Sequence, residues 1–275
     1  SDMIPKFEHC KVGVALSGGG AKGIAHLGVL KALEDNDIHI DMLSGVSAGS
    51  IVGVLYADGH TPEDICDYLK SSKLFSMASF TNPKNGGFSN MDRFKEFIEN
   101  KLKARTFEEL KLPFIVNATD LNEGCNTYFQ TGKLIDCIIA SSSVPVMFKP
   151  VEINGKLYVD GGFFCNMPVN ILRKSGCNLV IGVHVNPITY IEKLDGLRDV
   201  SERVFHLAVN GNTIEEKKNC DIVIETTKAR DYGMFDATAA DEIFNIGYEA
   251  AIEALENFDY DEYRTKRMIS DSYQK

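Results

Sequence analysis

The pattern of hydrophobic and polar positions predicts that the chain opens with alternating strands and helices. Residues 11–16 form a short apolar run that ends in a glycine cluster, which is typical of a buried strand. Residues 24–33 carry apolar side chains at helical spacing, residues 38–43 form a second apolar run, and residues 51–55 again suit a buried helix. Because two strands joined by a helix run parallel, this order implies a parallel sheet with right-handed crossovers.

The rest of the chain continues the alternation and predicts an α/β fold. Further helices are predicted from residue 61 and over residues 91–102, 134–140, 197–218 and 237–255, with a peripheral helix from residue 259. Further strands are predicted over residues 113–121, 127–130, 179–185 and 221–225, with a hairpin over 151–160 that turns at Asn154 and Gly155. We expect one three-layer α/β/α domain with a mainly parallel central sheet over residues 1–275. Its motif-bearing core covers about residues 11–185, and residues 195–275 belong to the same domain.

The glycine cluster between the first strand and the first helix has two interpretations. Gly18, Gly20 and Gly23 satisfy the GxGxxG spacing of a dinucleotide-binding loop, and Asp41 follows at a tolerable distance. Against that interpretation, Asp41 precedes Met42 and Leu43 and does not end a well-formed second strand. The same loop is also able to present backbone N–H groups to an oxyanion, because glycines let the backbone approach a ligand without a Cβ.

Residues 45–49, Gly-Val-Ser-Ala-Gly, place Ser47 at a sharp turn between a predicted strand and a predicted helix. In a GxSxG elbow the glycines permit the tight backbone, and the serine hydroxyl stands under the N-terminus of the next helix. Ser47 therefore has two interpretations, as a nucleophile or as a serine that only caps the helix.

The composition narrows the classes of function. The chain has 275 residues, of which 44% are hydrophobic and 25% charged, as in ordinary globular proteins. A net charge of −10 argues against nucleic acid as a main partner and against electrostatic recruitment to anionic membranes. The seven cysteines are scattered without metal-ligand spacing, and no run approaches the roughly 18 apolar residues of a membrane span. No signal core precedes the first strand. We expect a cytoplasmic protein without a metal site or cofactor.

Four blocks of the sequence, taken together, resemble one known family. Residues 18–23, 45–49, 140–150 and 160–162 are similar, in this order, to the signature blocks of the patatin-like phospholipases, whose bacterial members are serine acyl hydrolases. The similarity runs from about residue 11 to at least residue 185 and is looser beyond. The resemblance implies a patatin-like fold and a serine lipid acyl hydrolase of the phospholipase A, lysophospholipase or esterase type.

The resemblance also implies roles for individual residues. Ser47 would be the nucleophile of a Ser-Asp dyad, and Asp160 would act first as general base and then as general acid. Partial desolvation beside residues 161–164 would raise the pKa of Asp160 and strengthen it as a base. The oxyanion hole would use backbone N–H groups of Gly18, Gly19, Gly20 and Ala48. An acyl groove would be lined by Pro145, Met147 and Phe148. The partners would be a lipid or other acyl ester and, transiently, a membrane surface.

Several alternatives stay open at this point. Ser47 and Asp160 followed by His184 or His206 have the chain order of an α/β-hydrolase triad, and Asp120 is another carboxylate at a predicted strand end. A dinucleotide-binding oxidoreductase and a catalytically silent lipid-binding protein of the same fold are rival functions. Residues 71–90 are either a loop packed on the core or a mobile cover that touches lipid.

Overall fold

The protein is described here by a computed structural model that covers residues 7, 10–72, 91–145, 147–228 and 239–273. Its centre is one mixed sheet. The eight strands in these ranges are β1 (Val12–Leu16), β2 (Met42–Gly45), β3 (Phe114–Asp120), β4 (Cys125–Phe129), β5 (Val151–Ile153), β6 (Lys156–Asp160), β7 (Leu179–His184) and β8 (Ile222–Glu225).

The sheet has a parallel core with an antiparallel edge. Along the sheet the strands follow the order β5, β6, β3, β2, β1, β7 and β8, and β4 pairs with β3 beside this path. The pairs β3–β2, β2–β1, β1–β7 and β7–β8 are parallel. β4 and β6 pair antiparallel with β3, and β5 pairs antiparallel with β6. The expectation of a mainly parallel sheet is therefore confirmed. In such sheets the carboxyl ends of the parallel strands share one edge, where binding and catalytic groups collect.

Helices flank the sheet. In the described ranges they are α1 (Ile24–Asp35), α2 (Ala48–Ala57), α3 (Pro62–Ser72), α4 (Asp92–Lys101), α5 (Ile135–Ser142), α6 (Asn170–Lys174), α7 (Gly196–Lys218), α8 (Ala240–Glu256) and α9 (Tyr260–Tyr273).

The strands alternate their side chains between two hydrophobic clusters, as the period of two in a strand requires. On one face Val14 packs into the larger cluster with the helical residue Leu30. On the other face Ala15 and Val180 pack with Leu172 of α6. Helical residues therefore cover both faces of the sheet, which is the layered α/β/α arrangement.

The C-terminal part of the chain packs tightly on the N-terminal part. α1 and α8 cross in direct backbone contact, because a Cβ on Gly28 would collide with the carbonyl of Phe244 and one on Gly247 with the carbonyl of Ala25. β8 belongs to the same sheet as β1. Both contacts tie residues beyond 220 to the motif-bearing core.

The second strand differs from the sequence expectation. It covers Met42–Gly45, whereas residues 38–41 are a connection outside any strand. Ile38 and Ile40 are buried in that connection, so their hydrophobicity reflects core packing and not a strand. Asp41 ends the connection by accepting a hydrogen bond from Val12 N at 2.7 Å. An apolar run alone does not distinguish these two structures.

Most other elements agree with the predictions within a few residues. The hairpin turn is confirmed, since Asn154 and Gly155 have φ values of 51° and 81°, as a type I′ turn requires. The short helix α6 was not predicted. Residues 71–72 end α3, and the remainder of the proposed cover, residues 73–90, lies outside the described residues.

The helix α7 carries an exposed apolar stripe. Its 23 residues make it about 34 Å long, whereas the six-residue β7 spans about 20 Å. Leu197, Val200, Val204 and Leu207 follow one another at three- and four-residue spacing, and each is exposed. Within the described ranges, no helix combines the length and the apolar character needed to cross a membrane.

Candidate active site

Ser47 lies on a strained turn between β2 and α2. Its backbone φ is 55° and its ψ is −124°, a left-handed conformation that is uncommon for a residue with a Cβ. Such a conformation costs on the order of 1–3 kcal/mol and persists only where the surroundings impose it. The side chain is partly exposed at the carboxyl ends of the parallel strands, directly before the first residue of α2.

Neighbouring groups hold this turn from both sides. Ser47 N donates to Ser141 Oγ at 3.0 Å, and Ser142 Oγ donates to Ser47 O at 3.3 Å. Gly49 allows the next residues to approach β1, because a Cβ there would collide with the carbonyl of Leu16. The last turn of α5 and the end of β1 together fix the Ser47 backbone.

Asp160 ends β6 as a buried carboxylate. It is 1% exposed, and its Oδ1 accepts a hydrogen bond from Gly162 N at 2.8 Å. Its backbone is held by Thr119 Oγ1, which donates to Asp160 O at 2.9 Å, and by Ser143 O, which accepts from Asp160 N at 2.9 Å. Burial raises the pKa of Asp160 to about 6, against the smaller lowering effects of Ser47 and Gly162.

The side chains of Ser47 and Asp160 interact directly. The Ser47 hydroxyl lowers the pKa of Asp160 as a hydrogen-bond donor does. Asp160 Oδ2 nevertheless has no partner that meets full hydrogen-bond geometry among the described residues. The Ser47–Asp160 contact thus does not meet full hydrogen-bond geometry, which is common for catalytic pairs in the free protein.

The glycine loop lies against Ser47. A Cβ on Gly18 would stand 3.2 Å from Ser47 Cβ and 3.0 Å from Asn166 Oδ1, so only glycine fits there without displacing neighbours. Around Ser47, the backbone N–H groups of Gly18, Gly19, Gly20 and Ala48 donate to no acceptor among the described residues. Unpaired N–H groups beside a serine are the donors that an oxyanion hole needs.

Three histidines, His26, His184 and His206, lie beside groups other than Ser47 and Asp160. His26 Nε2 lies 2.7 Å from Ser17 O, and His206 Nε2 lies 2.9 Å from Asn186 O. His184 Nδ1 lies 3.7 Å from Glu225 Oε1 and makes no hydrogen bond within the described ranges. None of these contacts involves Ser47 or Asp160, so the geometry favours a dyad over a triad.

The two other candidate carboxylates are engaged elsewhere. Asp120 Oδ1 accepts hydrogen bonds from the backbone of Asn122 and Glu123 at 2.9 Å each, and its Oδ2 lies 3.3 Å from Lys156 Nζ. The Glu123 N–H and then Lys156 hold the pKa of Asp120 below its usual range. Asp41 caps the start of β1, at the opposite edge of the sheet from the glycine loop, so it is not placed to bind a ribose next to that loop.

A large open cleft lies elsewhere, lined by polar residues from α6, β8, α8 and α9. Neither Ser47 nor Asp160 lines it, and its Arg173 and Asp221 pair with each other at 2.8 Å. Among the described residues, no three His, Cys, Asp or Glu side chains are grouped as metal ligands. We therefore assign the candidate site to the edge that carries Ser47 and Asp160.

The sequence profile of the patatin-like phospholipases matches residues 14–173, which is more than half of the chain. The chain belongs to the patatin-like phospholipase family. It is similar to Lysophospholipase NTE1 of Candida glabrata, at 32% identity over 67% of this chain and 11% of that protein. It is similar to Lysophospholipase NTE1 of Kluyveromyces lactis at 27% identity over 90% of this chain and 19% of that protein. The chain thus spans a fifth or less of the length of these curated relatives.

A solved structure supports the patatin-like fold. VipD from Legionella pneumophila is similar with a TM-score of 0.53 and 16% sequence identity, over 93% of this chain and 70% of that chain. At this identity the likeness concerns the fold alone. Together with family membership, it confirms the α/β architecture.

In this patatin-like site, the residues expected to line an acyl groove are largely internal. Met147 and Phe148 are 3% and 4% exposed and belong to the main hydrophobic cluster, whereas Pro145 is half-buried. The acyl groove stays a prediction, and only Pro145 of the three has appreciable exposed surface.

Sequence reasoning missed several groups that support the patatin-like site. Asn117 Nδ2 donates to the carbonyls of Gly161 and Cys165 at 3.2 and 3.0 Å and thereby fixes the loop after Asp160. Glu216 of α7 accepts hydrogen bonds from Asn166 N at 3.0 Å and Met167 N at 2.5 Å, and burial raises the pKa of Glu216 to about 7. No local pattern reveals these long-range contacts. In contrast, the three serines at 141–143 belong to one of the four sequence blocks that resemble the family.

Proposed function

We propose that this chain hydrolyses carboxylic esters of lipids, with Ser47 as the nucleophile and Asp160 as the general base. The observation that carries the proposal is the buried Asp160 carboxylate, which has a pKa of about 6 and contacts Ser47 on a strained turn. Perturbed carboxylates beside a potential nucleophile are typical of catalytic sites. Both curated relatives have the name lysophospholipase, which supports a lipid ester as substrate.

In the first half of the reaction, Ser47 Oγ attacks the ester carbonyl while its proton passes to Asp160. A carboxylate with a pKa near 6 is largely ionised at pH 7 and is a stronger base than one at the usual value near 3.8. The tetrahedral intermediate then collapses. The alcohol leaves with the proton that Asp160 had accepted, and Ser47 retains the acyl group as an ester.

In the second half, water replaces the alcohol. Asp160 takes a proton from the attacking water, the second tetrahedral intermediate collapses, and the proton returns to Ser47 Oγ. The fatty acid leaves and the free dyad is restored. Because one carboxylate serves as base and acid in both halves, the cycle needs no histidine.

The negative charge of both intermediates is stabilised by backbone N–H groups of the glycine loop and of Ala48. Removal of one such donor in other serine hydrolases costs about 3–4 kcal/mol of transition-state stabilisation. The unpaired state of these N–H groups supports the assignment, because a donor already bonded within the protein would not be available to substrate. Ala48 N–H adds the positive end of the α2 dipole.

We further propose that the catalytic end of the molecule contacts a lipid surface transiently. α7 is longer than the strand that precedes it, so its first half extends past the carboxyl edge of the sheet. Its apolar stripe therefore lies at the same edge as Ser47, together with Phe163 and Phe164, which are exposed just after Asp160 and Gly162. Large contiguous apolar patches on a protein surface typically mark interaction sites.

Two further expectations are kept as proposals. A single domain over residues 1–275 is supported by the contact of α8 with α1 and by the place of β8 in the sheet. A cytoplasmic location is supported by the seven cysteines, all of which are free thiols, because oxidising compartments favour disulfides.

The test compares wild type, Ser47→Ala and the matched control Ser175→Ala, a serine that bonds Ile171 O far from the site. We expect wild type and Ser175→Ala to hydrolyse p-nitrophenyl butyrate and lysophosphatidylcholine and to react with a fluorophosphonate. Ser47→Ala should lose all three activities. An inert wild type that still binds lipid vesicles would indicate a silent lipid-binding protein, and labelling that persists in Ser47→Ala would remove Ser47 from its role.

A further inference from the structure

His26 is a buried histidine that the mechanism above does not use. It lies in the first turn of α1, is 0% exposed, and places its Nε2 2.7 Å from Ser17 O. Burial lowers the pKa of His26 to about 4, so the ring is neutral at pH 7. Since a carbonyl oxygen only accepts, the ring proton is on Nε2 and is donated to Ser17 O. Nδ1 has no hydrogen-bond partner among the described residues.

The hydrogen bond from His26 orients the peptide that leads into the glycine loop. The Ser17–Gly18 peptide is planar and trans, so its C=O and N–H groups point in opposite directions. With Ser17 O bonded to His26, the N–H of Gly18 faces away from the His26 ring. Gly18 itself lies against the side chain of Ser47.

The next peptide is held in the same manner by Ser17. The Ser17 hydroxyl donates to Gly18 O at 3.2 Å and accepts from Val185 N at 3.1 Å. Because its carbonyl is fixed, the Gly18–Gly19 peptide directs the Gly19 N–H away from the Ser17 hydroxyl. Two consecutive carbonyls of the loop are thus bonded to buried donors, and the two N–H groups opposite them are unpaired.

We propose that His26 and Ser17 are positioning residues that fix the peptide planes of the oxyanion loop, so that the Gly18 and Gly19 N–H groups stay directed at the substrate oxygen. The proposal rests on the proposed function. Glycine peptides rotate more freely than any others, so three consecutive glycines would not hold their N–H groups in one direction unaided. Donors that are oriented before the reaction stabilise the oxyanion without reorganisation.

A purely structural role for His26 makes a different prediction. If His26 only satisfied a buried carbonyl, its loss would lower the stability of the fold and leave the folded enzyme with normal kinetics. If it orients an oxyanion donor, its loss lowers kcat with little change in KM, because the oxyanion forms only after the ground state. The split between kcat and KM therefore separates the two roles.

The test uses His26→Phe, His26→Gln and the control His60→Phe. Phe keeps the ring volume without a donor, whereas the Gln amide nitrogen reaches about as far as His Nε2. His60 Nε2 lies 2.9 Å from Lys101 O, so its variant removes a histidine–carbonyl hydrogen bond of the same kind away from the site. We measure p-nitrophenyl butyrate kinetics and thermal unfolding for each protein.

We expect His26→Phe to lower kcat about 10- to 100-fold with KM within about threefold, which is less than the loss of a donor outright. His26→Gln should recover kcat to within about tenfold of wild type, and His60→Phe should lower the melting temperature but not kcat. If His26→Phe does not fold, Ser17→Ala makes the same test on the next peptide and should also lower kcat with KM unchanged.

Three results would overturn the inference: unchanged kcat in His26→Phe and Ser17→Ala, equal losses in the Phe and Gln variants, or a kcat loss in His60→Phe as large as that in His26→Phe. If Ser47→Ala abolishes the wild-type activity but the His26 variants keep the wild-type kcat, this inference is overturned and the proposed function stands. An inert wild type would overturn both.

Discussion

Replacing Asp160 by Asn should inactivate the protein and stabilise it at the same time. Asn has nearly the shape of Asp, and its amide oxygen is able to accept the Gly162 N–H in place of Oδ1. Its amide nitrogen would occupy the position of Oδ2, which has no full hydrogen-bond partner among the described residues. The substitution therefore removes a buried negative charge and the proposed base while it keeps the packing.

The magnitude follows from the raised pKa. The pKa of Asp160 changes from an ordinary value of 3.8 to about 6 because burial disfavours the charged form. About two units correspond to a cost of about 3 kcal/mol for the ionised group. Below pH 3.8 the carboxyl is protonated in both states and the cost is absent, whereas above pH 6 the cost is complete. The gain from Asp160→Asn should thus grow from about 0.5 kcal/mol at pH 4 to about 3 kcal/mol at pH 7.

The assay is urea unfolding of wild type and Asp160→Asn at pH 4 and pH 7, with ester hydrolysis measured in parallel. A matched control is Asp120→Asn, since Asp120 has a lowered pKa and a salt bridge to Lys156. Its replacement should destabilise the fold at pH 7, and the loss should shrink towards pH 4. An Asp160→Asn variant that is less stable than wild type at pH 7, or a gain that is equal at both pH values, would refute the buried-charge reasoning.

Two further predictions concern turnover and lipid contact. In wild type, kcat/KM for p-nitrophenyl butyrate should rise tenfold per pH unit below pH 6 and level off above it, because the Asp160 base must be ionised. A pH profile of kcat/KM with its midpoint well above pH 7 would contradict the assignment of Asp160 as the base. Val204→Asp on α7 should weaken sedimentation with phosphatidylcholine vesicles about tenfold without changing hydrolysis of the soluble ester, whereas Met268→Asp, 69% exposed on α9, should change neither. Undiminished vesicle binding by Val204→Asp would contradict the lipid-contact proposal.

The fold was largely predictable because its elements have local signals. Short apolar runs predicted β1, which ends at a glycine cluster, and β7, and Asn154 with Gly155 marked a turn that only a few residues adopt. The second strand was misplaced, since Ile38 and Ile40 are buried in a connection and not in a strand. An apolar run indicates that its residues are buried. It identifies a strand only where the segments next to the strand are exposed and therefore polar.

The candidate site was predictable only through the four sequence blocks in combination. No periodicity brings Ser47 and Asp160 together, because they are joined through a sheet whose strand order departs from chain order. The contacts that support Ser47 and Asp160 also join residues that are far apart in the sequence. Ser141 Oγ accepts from the backbone N–H of Ser47 and Ser143 O accepts from that of Asp160, so the C-terminal end of α5 and the residue after it hold both groups. Such bonds depend on tertiary geometry, which a single sequence does not display.

Three unfavourable features occur at one place in this molecule, and their coincidence argues for catalysis over silent lipid binding. Ser47 has a strained backbone, Asp160 carries a buried charge, and the N–H groups of Gly18 and Gly19 lack protein acceptors. A protein that only bound lipid would be more stable with Asn at position 160 and a relaxed residue at position 47. Each of the three features becomes favourable only when an ester carbonyl is attacked at that point: the turn exposes the hydroxyl, the charge accepts its proton, and the donors meet the oxyanion.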